Sequence, residues 1–202
     1  MAKLTRKILG NVNGAVGDIT FANWKGRTVI KAKSEGSKAD PTPAQLLVRE
    51  KFKVLTELSN AFVQVIPLGL ESAEITSYNL FRRLNFPVVE GTIGALTVDY
   101  TNILVSRGNL VTLNGLGFTA VGTNLTATWT FGDYGDGTDK ITLVVYCPEL
   151  KKTVVATGAL RSSGTIVLSA PAAWVTKEVH AYIYSGNEET KSTSQYLGSL
   201  TI

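Results

Sequence analysis

One cysteine, one histidine and one methionine in 202 residues remove whole classes of chemistry before any pattern is read. A lone Cys147 can form neither an intramolecular disulfide nor a cysteine-based zinc site, which leaves the redox compartment open. A lone His180 excludes a histidine-rich metal site. No stretch approaches the ~20 apolar residues that a bilayer-spanning helix needs. The opening "MAKLTRKILG" is basic, but no apolar run of signal-peptide length and no small-residue cleavage site follows it. The chain is therefore expected to be made in the cytoplasm without a signal peptide and to have no membrane span. Charged residues are also sparse, at 18% against 44% apolar, a balance that buries a core and argues against disorder.

The charge that is present is unevenly placed. Residues 1–33 carry Lys3, Arg6, Lys7, Lys25, Arg27, Lys31 and Lys33 against Asp18 alone, a net of +6, while the rest of the chain sums to −2. Such an arm meets nucleic acid, a membrane surface or an acidic patch on another subunit, or is a sheet edge kept soluble by lysine. Its pattern is that of three short strands. Asn13-Gly14 is a two-residue hairpin signal and Lys25-Gly26 a second turn. Between them "GDITFANW" alternates, with Ile19 and Phe21 on one face and Thr20, Ala22 and Trp24 on the other. Gly10 and Gly17 read as bulges or close backbone approaches. A meander this small is marginally stable alone and must lie on something.

"KSEGSKADPTPAQ" is a linker that ends in a helix start, with Thr42 as cap, Pro43 in the first turn and Gln45 completing a capping box. Val48, Phe52, Leu55, Phe62 and Ile66 then follow helical spacing until Pro67 stops the helix. A second helix over residues 72–85 holds Ile75, Tyr78, Phe81 and Leu84. Both are expected to cover one face of the meander. From about residue 96 the period changes to 2: Leu125, Ala127, Trp129 and Phe131 alternate with threonines, and Ile141, Leu143, Val145 and Cys147 do the same. Regularly spaced segments up to "SQYLGSLTI" complete about seven antiparallel strands. The expected fold is α+β, mainly β. Residues 1–94 form a β-meander with two helices, and residues 95–202 form an immunoglobulin-like or fibronectin-like sandwich with Trp129 in its core.

Candidate chemistry is thin. His180 alternates with Tyr182 and Tyr184 on a strand; a catalytic histidine would need a nucleophile and an orienting carboxylate supplied by the fold. Asp133, Asp136 and Asp139 in "GDYGDGTDK" crowd oxygens of the kind calcium takes, but the spacing departs from the EF-hand pattern and suits a long hairpin loop. "GNVNGAVG" is neither a dinucleotide fingerprint nor a Walker A loop. Phe21 and Trp24 in the basic arm could stack bases while lysines track phosphates. Asn124-Leu125-Thr126 is a glycosylation sequon only in a secreted eukaryotic setting.

Several motifs recur together: "GNVNGAVGDITFANWKGRTVIKAK", "PTPAQLLVREKF", "SYNL", "VDYTNILVSRGNL", "TDKITLVVYCP" and the closing "SQYLGSLTI". With them nearly the whole chain resembles a large uncharacterised family of Bacteroidetes and their mobile elements, a domain of unknown function. The loop "FGDYGDGTDK" departs from the looser Asp- and Asn-rich loop of that family. The resemblance implies a two-part layout and a phage-like or mobile-element setting. It carries over no activity, substrate or catalytic residue.

These readings lead to a non-enzymatic structural subunit of a particle, tube or filament, with no cofactor or metal assigned. Its partners would be identical copies or other structural proteins, joined through an arm whose candidate interface residues are Phe21, Trp24, Lys25, Arg27 and Lys31. Incorporation into a virion or virion-like particle is the expected setting. The alternatives are an immunoglobulin-like binding module for a glycan or surface protein, and an arm that binds nucleic acid.

Overall fold

A computed structural model of the chain describes residues 2–3, 12–24, 26–33, 40–132 and 135–202. The protein is mostly β, with several antiparallel sheets and three helices, and it divides into two compact units, Met1–Thr42 and Pro43–Ile202.

The first unit is a sheet of β1 (Ala2–Lys3), β2 (Gly14–Val16), β3 (Ile19–Trp24) and β4 (Arg27–Ala32) in the order β1-β4-β3-β2. Three strands lie within residues 7–33, with a two-residue fourth ahead of them, but the strand expected before Asn13-Gly14 falls almost wholly outside the described residues. The first hairpin turn is not Asn13-Gly14: Val16 pairs with Ile19, so Gly17-Asp18 closes the β2–β3 hairpin, and Gly17 takes the positive φ (56°) that such a turn requires. Asn13 instead uses its side chain, whose Oδ1 accepts from the Asn23 N–H at 2.9 Å. The second turn falls as expected, between paired Trp24 and Arg27. Gly10 and Lys25 lie outside the described residues.

In the second unit α1 (Pro43–Ala61) begins where the linker signal placed it. It ends six residues before Pro67, which sits in the first turn of the short α2 (Ile66–Gly69). A missing N–H costs nothing there. Between the two helices the chain turns so that Phe62, Val65 and Ile66 all enter the core. α3 (Ser77–Leu84) is capped by Thr76, whose Oγ1 accepts from the Asn79 N–H. A hairpin unforeseen in the sequence, β5 (Val89–Thr92) and β6 (Ala95–Val98), follows.

Seven further strands make two sheets. One is three-stranded, β11 (Thr165–Ser169), β8 (Asn124–Thr130) and β7 (Asn114–Val121), in that order. The other has the order β10 (Lys152–Leu160), β9 (Lys140–Cys147), β12 (Glu178–Gly186) and β13 (Gln195–Thr201). Leu125, Ala127 and Trp129 of β8 share one apolar core with Ile141, Leu143 and Val145 of β9 and Val179, Ala181 and Ile183 of β12. The two sheets therefore face each other, and Trp129 stands in their shared core as the alternation indicated. Phe131 lies past the strand end and is exposed.

The helices, expected to cover the meander, have their apolar side chains in the core of the second unit. Leu55, Leu58, Phe62, Ile66 and Phe81 pack against Val144, Tyr146, Tyr182 and Tyr184 on the other face of the four-stranded sheet. β9 and β12 are consequently buried on both faces. The helical region and the strands form one body for that reason. The division falls at Thr42/Pro43 and not at residues 94/95, where the period of the sequence changes.

Candidate functional site

Of the five arm residues singled out by sequence, the four at described positions, 21, 24, 27 and 31, do not share one face. Strand register pairs Phe21 with Ile30 and Gly14, while Thr20 pairs with Lys31 and Trp24 with Arg27. By alternation Val16, Ile19, Phe21 and Ile30 fall on one face, and positions 24, 27 and 31 on the other. Lys25 lies outside the described residues. The arm thus has an apolar face and a basic face, and the single list of candidates mixed the two.

Among residues 12–23, 26–33 and 40–42 of this unit only Thr28 is buried, and its Oγ1 donates to Asn23 Oδ1 at 2.9 Å. Val16 is 69% exposed and Ile19, its cross-strand partner, 46%. Apolar side chains paired across a sheet yet open to water are an unfilled half of a packing interface.

His180 is buried on the helix-facing side of β12. Its Nδ1 shares a hydrogen bond with Tyr196 Oη at 2.9 Å, and its ring stacks on Tyr100 with centroids 4.5 Å apart. Burial pushes its pKa below the ordinary 6.5, with Glu178 opposing weakly. Neither contact is a nucleophile activated by a base, so the residue reads as a packed strand histidine. Tyr146 and Tyr182 beside it are pushed well above the usual phenol value by burial.

The aspartates separate likewise. Asp136 is exposed, and hydrogen bonds from Thr138 hold its carboxyl below the usual range. Asp139 is 1% exposed, its Oδ2 lying 3.6 Å from Arg161 Nη1. Asp133 lies outside the described residues. Among those described, no group of three or more His, Cys, Asp or Glu is placed to hold a metal ion. Asn124 of the sequon is exposed and accepts from Ser169 Oγ.

Sequence reasoning missed Arg161 altogether. It is 3% exposed and donates to the Val111 and Thr112 carbonyls at 2.8 Å each. Its own carbonyl accepts from Trp129 Nε1 at 2.7 Å. Gly135, at φ 97°, lies so close that a Cβ there would stand 2.5 Å from the guanidinium. The only signal in the sequence was an arginine in a strand-rich region, which is no signal.

The arrangement is that of a β-rich protein whose one histidine is buried against Tyr100 and Tyr196. The chain belongs to a family described as "Family of unknown function (DUF6266)", whose model matches residues 11–198. No curated protein matches it. Among solved structures, one from a computer-based redesign of a β-sandwich protein aligns at 16% identity, covering 46% of this chain and 96% of its own, with a TM-score of 0.32. A score that low carries no argument. Among the described residues no helix is long and apolar enough to cross a membrane.

Proposed function

We infer that this is a non-enzymatic structural subunit that joins other copies, or other structural proteins, through its N-terminal arm. One observation carries the reading: a sheet in which, among residues 12–23 and 26–33, only Thr28 is buried, while paired Val16 and Ile19 stay open to water. Small sheets are marginal without a packed face. Covering this one would remove apolar area from water at ~25 cal/mol per Å². The edge strands β1 and β2, two and three residues long, are too short to carry the contact by strand addition alone. The joining is therefore by the Val16–Ile19–Phe21–Ile30 face, with Arg27 and Lys31 free to meet acidic groups. In this reading the two facing sheets, three and four strands strong, form an immunoglobulin-like sandwich, and the setting is a phage or other mobile-element particle.

The test is light scattering with negative-stain imaging, on the full chain and on one lacking residues 1–33. Regular particles are expected from the full chain and a folded monomer from the truncated one. Assembly that persists without the arm, or a monomeric full chain, would sink the idea. Phe21→Asp in the full chain should act like the deletion, whereas Lys31→Ala should weaken assembly only at low salt.

A further inference from the structure

The apolar stripe of α1 is buried only in its second half. Leu55 and Leu58 are in the core, but Val48 is 43% and Phe52 47% exposed. The Phe52 ring lies 5.5 Å from that of Phe86, tilted by 50°. Lys51 Nζ stands 5.5 Å from the Phe86 ring centroid. Phe52 and Phe86, with Asn79, Arg82 and Arg83 from α3 and its end, line an open concavity of about 480 Å³ that no acidic residue borders. Arg82 donates to Ser59 Oγ at 3.2 Å, while its buried Nε has no hydrogen-bond partner among the described residues.

Positive charge continues from this concavity along the helix. Arg49 stands one turn before Phe52 on the same side of α1, and Lys51 reaches the Phe86 ring, whereas Lys53, one residue past Phe52, is turned about 100° away and acts on Glu57. The one acid among them, Glu50, accepts from the Gly94 N–H at 3.0 Å. None of Arg49, Lys51, Arg82 and Arg83 forms a salt bridge among the described residues. An acidic side chain next to an apolar anchor would use one or two of them. Four cations, Arg49, Lys51, Arg82 and Arg83, beside an exposed aromatic pair match a ligand that repeats its negative charge and carries flat rings.

We propose that this surface binds single-stranded nucleic acid. A base stacks in the concavity against Phe52 and Phe86, the Asn79 amide is available to its edge, and phosphates lie against Arg82, Arg83, Arg49 and Lys51. The surface lies wholly within Pro43–Ile202 and does not depend on the role given to the arm.

Fluorescence anisotropy of a labelled oligothymidylate of about 20 nucleotides, titrated with the full chain across a salt series, tests it. Binding is expected at low salt and should fall as salt rises. Phe52→Ala should weaken it roughly tenfold, and Phe52→Trp should retain it. Arg83→Glu should lower the magnitude of the slope of log K against log salt by about 0.7. Both positions are exposed, and circular dichroism of each variant should match that of the parent. The arm variant Arg27→Glu with Lys31→Glu should still bind. No binding at low salt overturns the proposal, as does binding lost with the arm variant but indifferent to Phe52→Ala and Arg83→Glu. If polyglutamate displaces the probe as well as unlabelled oligothymidylate does, the surface takes acidic peptide and the assignment to nucleic acid falls.

Discussion

At Arg161 one side chain ties three parts of the body together. Its guanidinium fastens the Val111–Thr112 backbone that leads into β7, its carbonyl receives Trp129 from the shared core, and its backbone N–H donates to the Asp139 carbonyl. A buried cation deprived of its carboxylate is costly, and so is the reverse. Arg161→Met is expected to destabilise by about 3–5 kcal/mol in urea unfolding; a loss under ~1 kcal/mol would show that the network is dispensable. His180 makes a second prediction. Its folded pKa is below the 6.5 of the unfolded chain, so the unfolded state binds the proton more readily. The stability this residue contributes is complete above that value and declines as pH falls through it toward the lower folded pKa. His180→Gln should flatten the part of the stability-against-pH curve just below 6.5 while leaving the steeper acid limb of the carboxylates. An unchanged curve would place the titration elsewhere.

At the scale of elements, α1 shows that one amphipathic pattern can serve two ends. Phe62 just beyond its C-terminus is fully buried, with ring centroids 4.9 Å from Tyr146, 5.7 Å from Phe81 and 6.2 Å from Tyr182. Phe52 belongs to the same stripe and is half exposed. Phe62→Ala should cost about 3–5 kcal/mol, and Phe52→Ala within about 0.5 kcal/mol of nothing. Thermal unfolding of the two variants side by side checks the contrast; similar losses would mean that the outer half of the stripe is packed after all. The loop after β6 is held by comparable means. Asn85, fully buried, donates from Nδ2 to the Leu104 carbonyl at 2.9 Å and accepts from the Leu104 N–H at 2.7 Å, so the chain entering the sheets is hydrogen-bonded to the end of α3.

For the whole molecule, the decisive fact is the second apolar face of the four-stranded sheet. Removing the helices would uncover Val144, Tyr146, Tyr182 and Tyr184 together, which are at most 4% exposed. A patch of that size on a soluble protein invites aggregation. A fragment of residues 95–202 is therefore expected to precipitate or to bind an apolar dye as a loosely packed species, whereas residues 43–202 should unfold cooperatively. A well-folded, soluble 95–202 fragment would restore the boundary that the change in sequence period implied.

Local rules were enough for much of this. Alternation along residues 124–130 placed Leu125, Ala127 and Trp129 in a core because side-chain direction in a strand has a period of two regardless of what lies beyond. The linker signal at Pro43 placed a helix start because φ at proline is set covalently. The turn at Asn13-Gly14 failed because two glycine-containing dipeptides competed and register chose Gly17. What only the tertiary structure decided was which surfaces meet. An apolar stripe on a helix states that it needs cover and not what covers it. The placement of α1 to α3 on β9 and β12, the burial of Arg161 with Asp139 and the exposure of Phe52 depend on contacts between residues distant in sequence, which hydrophobic burial selects without leaving a local mark.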